Sequence, residues 1–240
     1  MRSDAFFGEF MKKGYFTVFE KCLWCTSVAV ILLTFFIFDG SEYLSMIASL
    51  VGVTALIFCA KGNPVGQMMM IAFGLIYGYI SFGFRYYGEM ATYLGMTVPM
   101  AALSLISWLR NPFKKGESEV KVNSVKGREL ALLFVIAAIV TAAFYFILGW
   151  LGTANLLTST LSVTTSFIAA YLTVRRSPAY ALAYALNDLV LIVLWILATG
   201  VDSSYFSVII CFVIFLINDL YGFFNWTRMK KRQQKGSVIK

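Results

Sequence analysis

A chain of 240 residues that is 60% hydrophobic and 13% charged, with a mean hydropathy of +0.78, is too apolar for a water-soluble domain. Its formal charge of +8 sits in short connections between apolar runs, which makes it a topology signal and sets nucleic-acid binding aside. The absence of histidine removes the commonest general base and the commonest metal ligand, so catalysis is disfavoured and neither a cofactor nor a metal is expected.

Eight apolar runs follow in chain order: Val18–Phe38, Tyr43–Ala60, Val65–Phe84, Glu89–Leu109, Leu130–Leu151, Ala154–Val174, Tyr180–Thr199 and Tyr205–Thr227. Each approaches the roughly 20 residues that a helix needs to cross the hydrocarbon core. The connections alternate in charge. Arg2, Lys12, Lys13 and Lys21 lie at or before the start of the first run, and Asp39 and Glu42 follow it. Then come Lys61, Arg85 with Glu89, and a basic loop holding Arg110, Lys114, Lys115, Lys121, Lys126 and Arg128. The connection at Gly152 is uncharged, Arg175 and Arg176 follow, Asp202 stands alone, and Arg228–Lys240 is basic. The positive-inside rule reads this as eight spans in the cell membrane with both termini cytoplasmic. The first run lacks a small-x-small cleavage site after it and is expected to remain as a helix.

Cys22 and Cys25 form a lone CxxC at the start of a membrane helix; without a second pair, packing in a reducing compartment is the simpler reading. No phosphate-binding loop for ATP is present.

Spans two to four and six to eight share a pattern. In the first unit a helix ends at Lys61, Gly62-Asn63-Pro64 leads into the next, and the unit closes on Trp108-Leu109-Arg110. In the second, Arg175-Arg176 is followed by Ser177-Pro178, and the close is Trp226-Thr227-Arg228. Both prolines suit a first helical turn, where no backbone donor is lost. Two units in the same orientation need an odd number of spans between them, which Leu130–Leu151 supplies. The expected organisation is 1–42 for the cytoplasmic N-terminus and extra helix, 43–110 for the first repeat and 111–128 for a cytoplasmic basic loop. Residues 129–152 then form a linker helix, 153–228 the second repeat and 229–240 a basic tail. The fold class is thus an all-α integral membrane protein: two parallel three-helix repeats, a linker helix and one extra N-terminal helix. Parallel repeats around a midplane site are a transporter architecture.

Helical spacing places candidate site residues. Tyr180, Tyr184, Asn187, Asp188 and Trp195 fall along one stripe of the seventh span. Asn218, Tyr221 and Asn225 share a face of the eighth, with Asp219 about 100° away. Tyr93, Thr97, Ser104 and Ser107 line up in the fourth, interrupted by Pro99; Gln67, Gly74, Gly78 and Ser81 do so in the third. An Asp at a helix centre costs roughly 2.5–3.5 kcal/mol to insert, so Asp188 and Asp219 should face protein or water, either as part of a site or satisfying Asn187 and Asn218 across helices. Gly74 and Gly78 suit close packing, and Trp108 and Trp226 suit either interfacial anchoring or stacking on a ligand. The predicted binding set is Asn187, Asn218, Tyr221, Tyr184, Tyr180, Asp188, Gln67 and Trp195. Aromatic faces beside amides fit a flat ring bearing a hydroxylated group.

The stretch Lys61-Gly-Asn-Pro with Gly66-Gln67, Phe73-Gly74, Tyr87-Gly-Glu-Met90, Trp108-Leu-Arg-Asn-Pro112 and the ending Asn218-Asp-Leu-Tyr-Gly222 with Trp226 resembles the PnuC family of nicotinamide riboside transporters. The resemblance, over about Tyr43–Arg228, implies a SWEET-like 3+1+3 core, facilitated diffusion of nicotinamide riboside by alternating access to supply NAD synthesis, and a homotrimer. Where many members carry Trp-x-x-Trp ahead of an Asn or Asp, this chain has Tyr180 and Ala183, and Ala170 stands where a Gln is often found. Tyr184 supplies a displaced ring. Thiamine, riboflavin or a deoxynucleoside as cargo, or a non-transporting membrane partner subunit, are the alternatives.

Overall fold

The computed structural model describes residues 14–38, 43–83, 87–114, 116–199 and 206–238. Arg2, Lys12, Lys13, Asp39, Glu42, Arg85, Lys115, Asp202 and Lys240, whose charges entered the topology argument, lie outside these residues, as do the predicted span ends Phe84 and Tyr205. Among the described residues, eight helices are long and apolar enough to cross a membrane: α1 Val18–Phe38, α2 Tyr43–Ala60, α3 Val65–Gly83, α4 Tyr87–Arg110, α5 Arg128–Trp150, α6 Leu156–Val174, α7 Ala179–Thr199 and α8 Phe206–Val238. The expected all-α architecture is present. Helix α8 runs well past the predicted end at Thr227, because Arg228–Lys235 supplies strong helix formers and nothing breaks the backbone ladder there.

Six of the helices close a ring. Within the first repeat α2 packs on α3 and α3 on α4; within the second α6 packs on α7 and α7 on α8. The ring closes through two equivalent seams, α2 against α8 and α4 against α6, each pairing the first helix of one repeat with the last of the other. Helix α5 packs on α6, whereas α1 covers the α2–α8 seam. The approximate two-fold relation between repeats is therefore broken by what lies outside the ring.

The turns between the first and second helices of the two repeats match bond for bond. Lys61, Gly62 and Asn63 donate their N–H groups to Ile57, Cys59 and Phe58 at 3.3, 2.9 and 3.0 Å. Arg175, Arg176 and Ser177 donate to Tyr171, Thr173 and Leu172 at 3.0, 2.9 and 3.0 Å. These bonds satisfy the last carbonyls of α2 and α6, and they require a left-handed residue at the second position. Gly62 adopts φ +65° there without strain, whereas Arg176 holds φ +56° against its own Cβ. Asn63 then accepts from Val65 N–H at 2.9 Å, capping α3 just ahead of Pro64.

The loop 111–128 was expected to be a simple basic connection; it is an ordered strap across both turns. Val120 N–H donates to Gly62 O at 3.0 Å and Asn123 N–H to Arg176 O at 2.9 Å, so the carbonyls of the two left-handed residues are satisfied by one segment. Val120 is fully buried, and Gln233 of the α8 extension donates to Val120 O at 3.0 Å while accepting from Val122 N–H at 2.8 Å. Glu119 pairs with Arg232.

Helix α1 is anchored by polar contacts inside the assembly. Thr17 and Glu20 form a reciprocal capping box, with Thr17 N–H to Glu20 Oε2 at 2.7 Å and Glu20 N–H to Thr17 Oγ1 at 3.2 Å. The same carboxylate, buried, accepts from Lys61 Nζ at 3.0 Å and from Tyr221 OH at 2.8 Å, tying α1 to both repeats. In α4, Pro99 lacks the N–H that would continue the ladder, and the turn Tyr93–Thr97 opens to π spacing, with Thr97 Oγ1 donating to Thr92 O at 3.3 Å. Gly74 and Gly78 pack against Val98 and Leu94 of this helix, the close approach anticipated for them.

Helix α3 also approaches α2 closely, since a Cβ on Gly66 would lie 2.6 Å from Cys59 N and 2.9 Å from Ala55 O, both backbone atoms that cannot yield. Gly66→Ala is expected to cost about 1–3 kcal/mol and lower the melting temperature in detergent, while Gly83→Ala, with open space around it, leaves the melt unchanged.

Candidate functional site

The ring encloses a cavity of about 100 Å³, several times the ~10–15 Å³ that one water needs. All six ring helices line it. Helix α7 contributes Tyr180, Tyr184, Asn187 and Asp188, as its stripe of three- and four-residue steps predicted, and α3 contributes Gln67. Helix α4 adds Glu89, Tyr93, Thr97 and Ser104, α6 adds Ser162, Ser166 and Ala170, α2 adds Cys59, and α8 adds Phe212, Phe215 and Asp219.

Local bonds orient these groups. Thr165 Oγ1 donates to Asn187 Oδ1 at 2.8 Å, fixing the amide of a residue that is 5% exposed. Gln67 Nε2 donates to Cys59 Sγ at 3.2 Å. Asp188 and Asp219, both buried, face one another closely enough to interact directly, and Asp188 Oδ2 has no partner. No Lys or Arg lines the cavity among the described residues. Tyr184 stands edge-on to Tyr180 with ring centroids 6.2 Å apart.

Three residues of the predicted set lie elsewhere. Asn218 is fully buried but turned toward α1, where its Nδ2 donates to Ser27 Oγ at 3.1 Å and to Ile214 O at 2.9 Å. Tyr221 reaches Glu20 and lines a second recess of about 720 Å³ at the basic end, with Lys61 and Arg228. Trp195 packs, half-buried, into the apolar cluster around Phe73 and Phe212. The reason is common to the first two: α1 covers that face of α8 and supplies polar partners for it. The 100° step to Asp219 is what carries α8 chemistry into the cavity. Ser107 also leaves its stripe, donating to Val174 O at 2.6 Å and accepting from Arg176 at 2.6 Å. Glu20 was missed as an anchor, although its Thr-x-x-Glu spacing ahead of an apolar run was a readable capping signal.

The two tryptophans are fully buried inside the protein at its basic end and neither lines the cavity. Trp108 Nε1 donates to Thr173 O at 2.9 Å, and Trp226 Nε1 donates to Cys59 O at 2.8 Å. Each last helix thereby binds the first helix of the other repeat, one indole bond across each seam beside Ser107 to Val174 O on one and Asn225 Nδ2 to Ala60 O, at 2.8 Å, on the other. The indoles meet at 5.3 Å, and the Tyr180 ring, which lines the cavity, lies 5.0 Å from Trp226 at 76°, so the pair backs the cavity wall from behind Tyr180.

The family model for nicotinamide mononucleotide transporters matches residues 42–228. The chain is 26% identical over 224 residues to the nicotinamide riboside transporter PnuC of Neisseria mucosa, covering 91% of this chain and 84% of that one. To the nicotinamide riboside transporter PnuC of Haemophilus influenzae it is 24% identical over 215 residues, with 88% and 91% covered. The crystal structure of the vitamin B3 transporter PnuC shares the fold, with a TM-score of 0.79 at 23% identity over 95% of this chain and 98% of that one.

Losing one indole bond costs about 1 kcal/mol, or roughly fivefold in how often that seam is broken. In a variant keeping Cys59 as its sole cysteine, Trp226→Phe is expected to speed thiol labelling of Cys59 by about that factor relative to the same background with Trp226 intact.

Proposed function

Given that the chain belongs to the PnuC family of nicotinamide riboside transporters, we propose that it carries nicotinamide riboside across the cell membrane by alternating access, downhill and without ATP. The observation that carries this reading is the enclosed cavity at the centre of the six-helix ring, lined by aromatic rings, an oriented amide and hydroxyls. Rings suit the pyridinium face, and Asn187, Gln67 and Ser104 suit the carboxamide and ribose. Between riboside and mononucleotide, the lining favours the riboside: a phosphate would enter beside Asp188, Asp219 and Glu89 with no Lys or Arg among the described lining residues to meet it.

The positive-inside rule supports placing the basic end, where the tryptophans seal the cavity, in the cytoplasm along with both termini. The reading has the strap of residues 111–128 and the α8 extension on that side. Release there supplies NAD synthesis once phosphorylation removes the riboside from the equilibrium. The trimer implied by the family resemblance belongs to the same proposal.

In proteoliposomes, uptake of labelled nicotinamide riboside should equilibrate the two sides and stop; accumulation above the outside concentration would contradict downhill transport. Asn187→Ala is expected to weaken binding roughly fivefold, the loss of a neutral hydrogen bond of about 1 kcal/mol. Asn218→Ala should leave affinity unchanged and instead lower the melting temperature through its bond to Ser27. The reverse pattern would move the site to the α1 face of α8.

A further inference from the structure

We propose that Asp188 and Asp219 make the cavity a site for organic monocations, so that positive charge on the ring decides which vitamin or nucleoside is accepted. The inference deepens the transport reading above and rests on the cavity being the substrate site. Carboxylates in this chain follow a rule outside the cavity. Among the described residues, Glu20, Glu117, Glu119 and Glu129 pair with Lys61, Lys114, Arg232 and Arg175 respectively. The three that line the cavity, Glu89, Asp188 and Asp219, have no basic partner among the described residues.

Two of those three interact directly, at 4% and 5% exposure, and Asp188 Oδ2 is left with no donor at all. The groups facing them from the packed helices are Tyr93 and Glu89 of α4, Cys59 of α2, Tyr180 and Tyr184 of α7 and Cys211 of α8, and none of these brings a positive charge. Adjacent buried carboxyls are relieved by a shared proton or by another positive charge beside them, and a protein whose described carboxylates outside the cavity are all paired internally leaves this pair to exchange its proton for a cation that enters. The rings of Tyr93 and Tyr184 beside the pair add faces that attract a delocalised cation. Glu89, on α4 at the end of the cavity away from the tryptophans, extends the negative lining toward the opposite mouth.

The test compares two ligands that differ in charge and little else, nicotinamide riboside and its neutral dihydro form, binding to the full-length protein in nanodiscs. The cation should bind at least tenfold more tightly to the wild type, and Asp188→Asn with Asp219→Asn should bring the ratio close to one. Asp188→Asn alone serves if the double variant is not monodisperse, with a ratio reduced severalfold. An equal affinity of the wild type for both forms, or an unchanged ratio in the variants, overturns the proposal. If nicotinamide riboside does not bind at all, the cargo reading fails separately. Thiamine and choline against riboflavin and uridine then decide the charge rule: a preference for the cations that the Asn variants erase supports it, and no ranking by charge overturns it.

Discussion

Hydrocarbon offers no partner to a polar group, and that constraint organises this molecule from its edge to its centre. Glu20 is tolerable in a membrane-entering helix because Lys61, Tyr221 and the backbone of Thr17 all reach it. Asn218 keeps its Nδ2 satisfied by Ser27 and by Ile214 O, although its Oδ1 has no partner. The Glu20 and Ser27 contacts exist only with α1 docked, so the extra helix is a consequence of polar residues on the α2–α8 seam as much as their cause. Removing one partner of such a buried pair is costly, about 3–5 kcal/mol, which makes Glu20 an anchor and not a neutral surface charge. The cavity inverts the pattern: there the carboxylates have been left unmatched.

The same constraint sets how tightly the basic end is closed. Four side-chain to carbonyl bonds cross the two seams there, from Ser107, Trp108, Asn225 and Trp226, at about 0.5–1.5 kcal/mol each, and the contact between the indoles adds about 0.5–1.5 kcal/mol. The sum, about 2.5–7.5 kcal/mol, is below the roughly 8 kcal/mol that a micromolar ligand gains on binding. In the proposed alternating-access cycle, a seal of this strength would hold an empty carrier closed on one side yet yield to a ligand that favours the other arrangement by several kcal/mol. Because the bonds are reciprocal, opening one seam relieves nothing at the other, and the two repeats are expected to move as units. The strap joins both turns at the same end, so its contacts with Gln233 and Arg232 must adjust in the same step.

Span number, repeat order and the α7 stripe were legible because each rests on a local rule: hydropathy, a proline-marked turn or helical spacing. The matching hydrogen bonds at Lys61–Asn63 and Arg175–Ser177 show how much geometry those two short motifs encode. The face of α8 was not legible. Asn218 and Asp219 are neighbours in sequence, and only the docking of α1 decides which of them meets the cavity. The tryptophans were misjudged for a related reason, since proximity to Arg110 and Arg228 suggested an interface whereas their partners lie 65 and 167 residues away in sequence. The strap carries too little periodicity to announce that Val120 is fully buried.

The central claim is that the repeats rock about the cavity while the tryptophan pair opens and closes the basic end. Paired spin labels on the exposed ends of α4 and α8, at Arg110 and Lys231 in a cysteine-free background, measure that separation in lipid directly. The account predicts two distance populations whose ratio shifts when nicotinamide riboside is added, with Trp108→Phe and Trp226→Phe raising the longer one in its absence. A single distance, unmoved by ligand or by either substitution in a protein that still transports, would contradict it.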